Sequence, residues 1–187
     1  MIRLHRTAPD VTTLGPGIRF CIWVQGCLRS CPGCMSPDTR PLDGGTWIEE
    51  ETLADRMMPF SFEGITISGG EPMLQSAGLC KLIHLLREKR DIGVIVYTGF
   101  TLEELYELQN PDQLAFLNET DVLIDGPYMR ELDDNASLRG SSNQRIHFLT
   151  ERYKKDAVCF GVPDGRRQQL QIDDQGVWII GLQNNHM

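Results

Sequence analysis

Cys27-Leu28-Arg29-Ser30-Cys31-Pro32-Gly33-Cys34 sets three cysteines in a CxxxCxxC spacing on one short loop. A cubane iron–sulfur cluster normally takes four thiolates, one per iron, so a loop with three leaves one iron free for a non-protein ligand. An open metal position is where metal chemistry occurs. The competing reading is a structural zinc site, which suits thiolates and contributes ~10–16 kcal/mol to folding. Zinc takes four closed ligands, and Cys21 is the nearby candidate for the fourth. Yet Ile18-Arg19-Phe20-Cys21-Ile22-Trp23-Val24-Gln25 reads as a β-strand leading into the loop, which makes Cys21 a packed strand residue. The spacing favours a cluster, since zinc knuckles show paired CxxC or CxxC plus His patterns.

Outward from the loop, strands alternate with helices, the pattern of a parallel α/β architecture. Thr46-Trp47-Ile48-Glu49 reads as a capping box opening a helix to about Met58. Gly64 to Ser68 reads as a strand. Leu79, Leu82, Ile83 and Leu86 recur at helical spacing, and Lys89 and Arg90 suit the carbonyl end of that helix. Ile92 to Thr98 reads as a strand buried on both faces, Thr101 to Glu104 as a helix cap, and Asp121 to Asp125 as a further strand. Beyond Thr150, Gln168–Ile172 and Val177–Leu182 flank an Asp173-Asp174-Gln175-Gly176 turn and predict a β-hairpin appendage.

The second chemical motif, Ser68-Gly69-Gly70-Glu71-Pro72, falls where a buried strand ends, the place where open α/β folds collect ligands. Paired glycines permit close approach to the backbone, and Glu71 offers a carboxylate to an amino group. A plain strand-ending turn also explains the glycines; the cysteine loop one βα unit earlier favours the functional reading. Trp23 and Trp47 read as core or rim aromatics, and His84 as a packed or half-exposed helix residue.

Composition bounds the function. At 187 residues the chain can bury about 70% of its unfolded surface, enough for one core. With 18 basic and 26 acidic residues, a net charge of −8 and no basic run, it lacks the positive face that nucleic acid needs. No apolar run approaches the ~18 residues of a membrane span, and no secretory signal precedes the first strand. Six cysteines that form no small-scaffold framework point to the reducing cytoplasm.

The cysteine loop followed by Ser68-Gly69-Gly70-Glu71-Pro72 resembles the radical S-adenosylmethionine (SAM) superfamily. Within it the chain is similar to glycyl-radical enzyme activases, and among these to the activating proteins of anaerobic ribonucleotide reductases. The similarity runs in order through Gly15-Pro16-Gly17, Val24-Gln25-Gly26-Cys27, Cys31-Pro32-Gly33-Cys34, Val96-Tyr97-Thr98-Gly99-Phe100, Asp121-Val122-Leu123-Ile124-Asp125-Gly126 and Arg139-Gly140-Ser141-Ser142-Asn143-Gln144. Gly33 stands where many superfamily members carry an aromatic residue.

The resemblance implies an α/β fold, an incomplete radical-SAM (β/α) barrel of parallel strands over residues 1–150, with residues 151–187 as a C-terminal extension. It implies a [4Fe-4S] cluster on Cys27, Cys31 and Cys34, and contact of Gly69, Gly70 and Glu71 with the methionyl end of SAM. Thr98 and Asp125 would lie near the SAM ribose or a bound cation. The loop Gly126–Asn143, with Arg139, Ser141, Ser142 and Asn143, would close over SAM. Asp125-Gly126 as a turn signal and Arg139 as a surface cation are the plain alternatives.

The implied activity is reductive cleavage. A flavodoxin-like donor passes one electron to the cluster, and SAM yields methionine and a 5′-deoxyadenosyl radical. That radical takes a hydrogen atom from a protein substrate, a glycine Cα hydrogen if the partner is a ribonucleotide reductase. The protein binds, orients and excludes water. Three alternatives stand beside this. The extension exceeds the activase pattern, and a hairpin edge can add a strand to a peptide, which fits a radical SAM enzyme acting on another protein or peptide. An iron–sulfur electron carrier would normally have four cysteine ligands. A zinc-stabilised interaction module would have no catalysis.

Overall fold

Arg19-Phe20-Cys21-Ile22-Trp23-Val24 alternates two sets of side chains, and the two sets meet two different layers. The computed structural model describes residues 1–173 and 176–183. In it, strands β1 (Ile2–Val11), β2 (Arg19–Val24), β3 (Thr46–Ile48), β4 (Gly64–Gly69), β5 (Gly93–Tyr97), β6 (Val122–Asp125) and β7 (Arg145–Phe148) form one sheet in the order β3-β1-β2-β4-β5-β6-β7. The central four strands, β2, β4, β5 and β6, are parallel. The flanking pairs β1·β2, β1·β3 and β6·β7 are antiparallel. Edge strands β3 and β7 sit at opposite ends of the order, so the sheet is open.

Helices α1 (Glu50–Met57), α2 (Ser76–Arg87), α3 (Leu102–Leu108) and α4 (Pro111–Asn118) supply the layer on one face. Phe20, Ile22, Val24, Ile65, Ile67, Val94, Val96 and Leu123 point to it and pack with Leu53, Met57, Leu79, Leu82, Ile83, Leu86, Leu105 and Phe116. Each such side chain, fully buried, contributes roughly 1.5–3 kcal/mol, which makes this cluster the main source of stability. On the other face, Ala8, Val11, Leu14 and Cys21 pack with Ile180 and Trp178, while Ile95, Val122 and Ile124 pack with Tyr153, Phe148 and Phe160. The sheet therefore carries helices on one side and residues from beyond position 150 on the other. Arg19, buried at 0% exposure, donates from that second face to Thr66 Oγ1 (3.1 Å), the Gly93 carbonyl (3.2 Å) and the Tyr153 hydroxyl.

Several sequence expectations meet their elements. Thr101 and Glu104 form the anticipated capping box, with both reciprocal bonds present. The hairpin consists of β8 (Gln169–Asp173) and β9 (Gly176–Ile180), paired from Gln169↔Ile180 to Asp173↔Gly176. Its expected turn falls on Asp174 and Gln175, which lie outside the described residues. Cys21 is buried in β2, and burial pushes its thiol up to about 12. Trp23 meets Trp178 edge-on at 5.6 Å, Trp47 is exposed under Arg3, and His84 is half exposed, 2.9 Å from Glu119.

Two expectations need correction. Thr46-Trp47-Ile48-Glu49 is not a capping box. Thr46 to Ile48 pair with Leu4, Arg3 and Ile2 as edge strand β3, and α1 begins only at Glu50, with Glu49 making no side-chain cap. Backbone pairing along a whole strand outweighs one pair of cap bonds, and the Glu50 carboxylate, 2.6 Å from the N-terminal ammonium, marks the true helix start. The strands are also not all parallel, because β1, β3 and β7 extend the sheet antiparallel at both ends. Among the described residues no helix is long and apolar enough to cross a membrane.

Candidate functional site

The cysteine loop leaves the carboxyl end of β2 and is tied at its neck. The Gly26 amide donates to Thr39 O (2.8 Å) and the Cys27 amide to Arg40 O (3.0 Å), while the Gln25 side chain donates to the carbonyls of Asp38 and Pro41. Inside the loop the Cys34 amide donates to Cys31 O (3.2 Å), with Gly33 at φ +71. Proline then glycine at the two central positions is the signature of a type II turn, whose third residue needs positive φ. This accounts for glycine where an aromatic residue is common: a β-carbon there would be strained, and it would also meet Arg130 Cδ at 3.0 Å.

The turn after β4 is bonded to this loop. The Gly70 amide donates to Val24 O and the Glu71 amide to Gly26 O, both at 2.8 Å. A β-carbon on Gly70 would lie 2.2 Å from Gly26 O, so glycine is required there for the backbones to touch. Glu71 is 2% exposed. Its Oε1 accepts from the Met73 amide (3.0 Å) and the Thr98 hydroxyl (2.7 Å), and its Oε2 accepts from the Gly99 amide (2.8 Å). Burial pushes the Glu71 carboxyl up, and these bonds together with nearby Arg29 hold part of that rise back. Burial likewise pushes the Cys27 thiol up, so metal binding there must displace a proton.

A cleft gathers these parts. Its lining includes Cys27, Cys31, Cys34, Gly69, Gly70, Glu71 and Thr98 from the expected set, with Tyr97, Tyr128 and Gln144 beside them. Arg29, also on the wall, spans from the loop to the start of α3, pairing with Glu104 at 2.8 Å and lying over the Phe100 ring at 4.6 Å. Two of the lining residues, Tyr97 and Arg29, each carry a buried donor, the hydroxyl and Nε, without a partner among the described residues. Burial accordingly pushes the Tyr97 hydroxyl pKa upward. Unpaired buried donors are costly, and polar ligand atoms would satisfy them.

The thiols fit a cluster better than zinc. The cleft is lined by three thiols, Cys27, Cys31 and Cys34, whereas Cys21, the candidate fourth ligand, is buried in β2 among Ala8, Val11 and Leu14. Structural zinc takes four closed protein ligands, and a cubane cluster can be held by three thiolates with one iron left to a non-protein ligand.

The remaining expected residues lie behind the wall. Asp125 is 0% exposed and accepts from the Leu102 amide (2.7 Å) and from Arg145 (2.6 Å), with His147 at 2.9 Å. Burial pushes its carboxyl up, but the bonds from Arg145, Leu102 and His147 outweigh this and leave it below the usual range. Arg139 pairs with Asp134. Ser141 Oγ accepts from the Met129 amide, the Ser142 amide donates to Leu132 O, and Asn143 donates to Pro127 O. These bonds knit the Gly126–Asn143 loop to itself, and the loop reaches the cleft through Gly126, Tyr128 and Gly140. Tyr97, Tyr128, Gln144 and Arg29 were not anticipated as site residues. Strand alternation was the available signal for Tyr97, since it shares with Ile95 the face opposite the helices, the inner face of the sheet.

A three-thiolate loop joined to a glycine turn at the carboxyl ends of parallel strands defines a single-cluster iron–sulfur protein. Residues 13–147 match the family described as "4Fe-4S single cluster domain". The chain is 35% identical over 159 residues to the anaerobic ribonucleoside-triphosphate reductase-activating protein of Salmonella typhi, covering 79% of this chain and 99% of that one. It is 32% identical to the protein of the same name from Escherichia coli (strain K12), covering 78% and 97%. The pyruvate formate-lyase-activating enzyme of Listeria monocytogenes is 39% identical over 91 residues, 46% of this chain and 37% of that one. This chain belongs to the family of anaerobic ribonucleoside-triphosphate reductase-activating proteins. Almost all of the Salmonella protein is aligned while about a fifth of this chain lies outside the alignment, and the family match ends before the hairpin.

Proposed function

We propose that this chain is a radical SAM activase that generates the glycyl radical of an anaerobic ribonucleoside-triphosphate reductase. One observation carries the reading: the thiol loop and the Glu71 turn are hydrogen-bonded to each other and line a single cleft, two of whose lining residues, Tyr97 and Arg29, each carry an unsatisfied donor. Cys27, Cys31 and Cys34 would hold a [4Fe-4S] cluster with one iron left open for SAM. The cluster and SAM together would supply the one-electron radical chemistry that removes a glycine Cα hydrogen from the partner.

The residues of the chain prepare for that event. Glu71, held by Thr98 and the Gly99 amide, fixes the Gly69–Glu71 backbone toward the methionyl end of SAM. Tyr97 and Arg29 offer their free donors to its polar groups. Arg139, Ser141, Ser142 and Asn143 brace the loop over SAM, and Asp125 braces the strand end beneath it. The aromatic cluster of Phe148, Tyr153 and Phe160 seals the sheet face below the site against water. Residues 1–150 form the radical SAM domain, the open sheet being an incomplete (β/α) barrel, and residues 151–187 are an extension of it. A flavodoxin-like protein delivers the electron in the reducing cytoplasm, a setting that suits six unpaired cysteines.

Anaerobic reconstitution with iron and sulfide tests the proposal. The expected product carries about four irons and four sulfides per chain. Its reduced spectrum shifts on SAM addition, and a glycyl radical signal follows when the reductase is supplied. A spectrum that SAM leaves unmoved would overturn it.

A further inference from the structure

Arg166 lies beyond the family match, yet its side chain is 1% exposed and faces the Asp133 carboxylate, itself 0% exposed, at 2.7 Å. The guanidinium also donates to the backbone of the cleft loop, Nε to Ala136 O (3.3 Å) and Nη2 to Arg139 O (3.1 Å) and Gly140 O (2.7 Å), and its Nη1 donates to the second carboxylate oxygen of Asp133 (3.2 Å). A further donation to Gln183 O binds the same cation to the end of the hairpin. The contacts lead to the cleft by two routes. Gly140 is a lining residue and would meet the Tyr128 ring at 2.9 Å if it bore a β-carbon, so ring and backbone are in contact. The Tyr128 hydroxyl donates to Asp133 Oδ2 at 3.0 Å, and Tyr128 also lines the cleft.

We propose that Arg166 is a positioning residue for SAM, supplied by the C-terminal extension, that holds Tyr128 and Gly140 in place as the wall opposite Glu71. The proposal rests on the reading of the cleft given above. A guanidinium is suited to the task because its planar fork can serve a carboxylate and several carbonyls at once, which a lysine ammonium on a flexible stem cannot.

The test compares wild type with Arg166→Lys, which keeps the charge beside Asp133 and loses the fork. Two quantities are measured: hydrogen exchange across residues 126–144 in the cluster-free protein, and equilibrium SAM binding with turnover in the reconstituted protein. The expected result is exchange faster by about tenfold and a SAM Kd raised by about tenfold. Iron content should be unchanged, and kcat at saturating SAM should be within about twofold, since the wall acts on binding. Should the Lys variant fail to fold, the neutral double variant Arg166→Met with Asp133→Asn makes the same comparison. Wild-type exchange and wild-type affinity in the variant would overturn the proposal alone. A wild-type protein that binds cluster but no SAM would overturn the cleft reading, and the proposal with it.

Discussion

Replacing Glu71 by Gln preserves its shape and removes one of its two acceptor oxygens, which isolates the carboxylate's contribution. Three donors converge on that carboxylate: the Met73 amide, the Thr98 hydroxyl and the Gly99 amide. If the new amide nitrogen faces Gly99, the Gly99 N–H loses its acceptor. If it faces the other way, the Thr98 hydroxyl can turn to accept, but the Met73 N–H is orphaned. Either rotamer leaves one buried backbone donor unsatisfied, at a cost of ~1–3 kcal/mol. Burial raises the carboxyl's pKa, so a neutral amide is easier to bury, and the net loss falls toward the lower end. Against a total stability of ~5–15 kcal/mol this is measurable. With a urea slope of ~1–3 kcal/mol per molar, the midpoint of the cluster-free protein should fall by roughly 0.5–1 M. Iron loading should persist, since no thiol is touched, while SAM affinity weakens. A midpoint within ~0.2 M of wild type would mean the carboxylate does not hold these amides. Unchanged SAM affinity would remove Glu71 from the site.

Three further outcomes are expected. Cys31→Ala should abolish the SAM-responsive cluster spectrum, and a variant that still cleaves SAM with dithionite would show the ligand assignment to be wrong. Gly70→Ala forces a β-carbon to within 2.2 Å of Gly26 O, so the thiol loop must detach from the turn; iron bound per chain should drop, and full loading with unaltered thermal stability would refute the contact. Glu103 is held down to about 2 by its bonds from Arg145, and Asp125 is also lowered. Both folded values lie below the unfolded ones, so their contribution is complete above pH ~5 and is lost as the pH falls through ~4 toward 2. Urea midpoints should be level at neutral pH and decline on acidification, less steeply in Arg145→Met; an equal decline in that variant would count against the assignment.

The central strands were legible because their signal is local. Ile65, Ile67, Val94, Val96 and Leu123 are apolar residues bounded by turn residues, and strands buried on both faces read that way in any context. The flanking antiparallel strands were not. β1 reads Ile2-Arg3-Leu4-His5-Arg6-Thr7-Ala8-Pro9-Asp10-Val11, with charges on a strand whose pairing shifts register twice, between Leu4 and Arg6 and between Ala8 and Val11. Each register shift breaks the two-residue period on which pattern reading depends, so a strand paired on both sides stays hidden in the sequence. β3 was mistaken for a cap for a related reason: three residues carry too little periodicity to outvote a Thr-x-x-Glu motif when the pairing partner, Ile2 to Leu4, is more than forty positions away.

At the site, cysteine spacing and the glycine turn are written in residue identity and could be read directly, whereas the residues around them depend on which way a strand end points. Thr98 follows Val94 and Val96 in parity, so its hydroxyl turns toward Glu71 at the top of the helix-facing side. Asp125 follows Leu123 and is carried to the start of α3, where it caps the Leu102 amide. Their neighbours Tyr97 and Ile124 fall on the inner face. The resemblance placed Thr98 and Asp125 together, near the SAM ribose or a bound cation, as residues at the ends of successive strands. Two-residue alternation adds Tyr97 to the wall from the face opposite the helices, and its apolar ring had concealed the unpaired hydroxyl at its tip. Thr98 and Tyr97 both reach the cleft, so for parallel strands ending at a cofactor cleft, parity counted from a core residue completes the wall that side-chain polarity reads only in part.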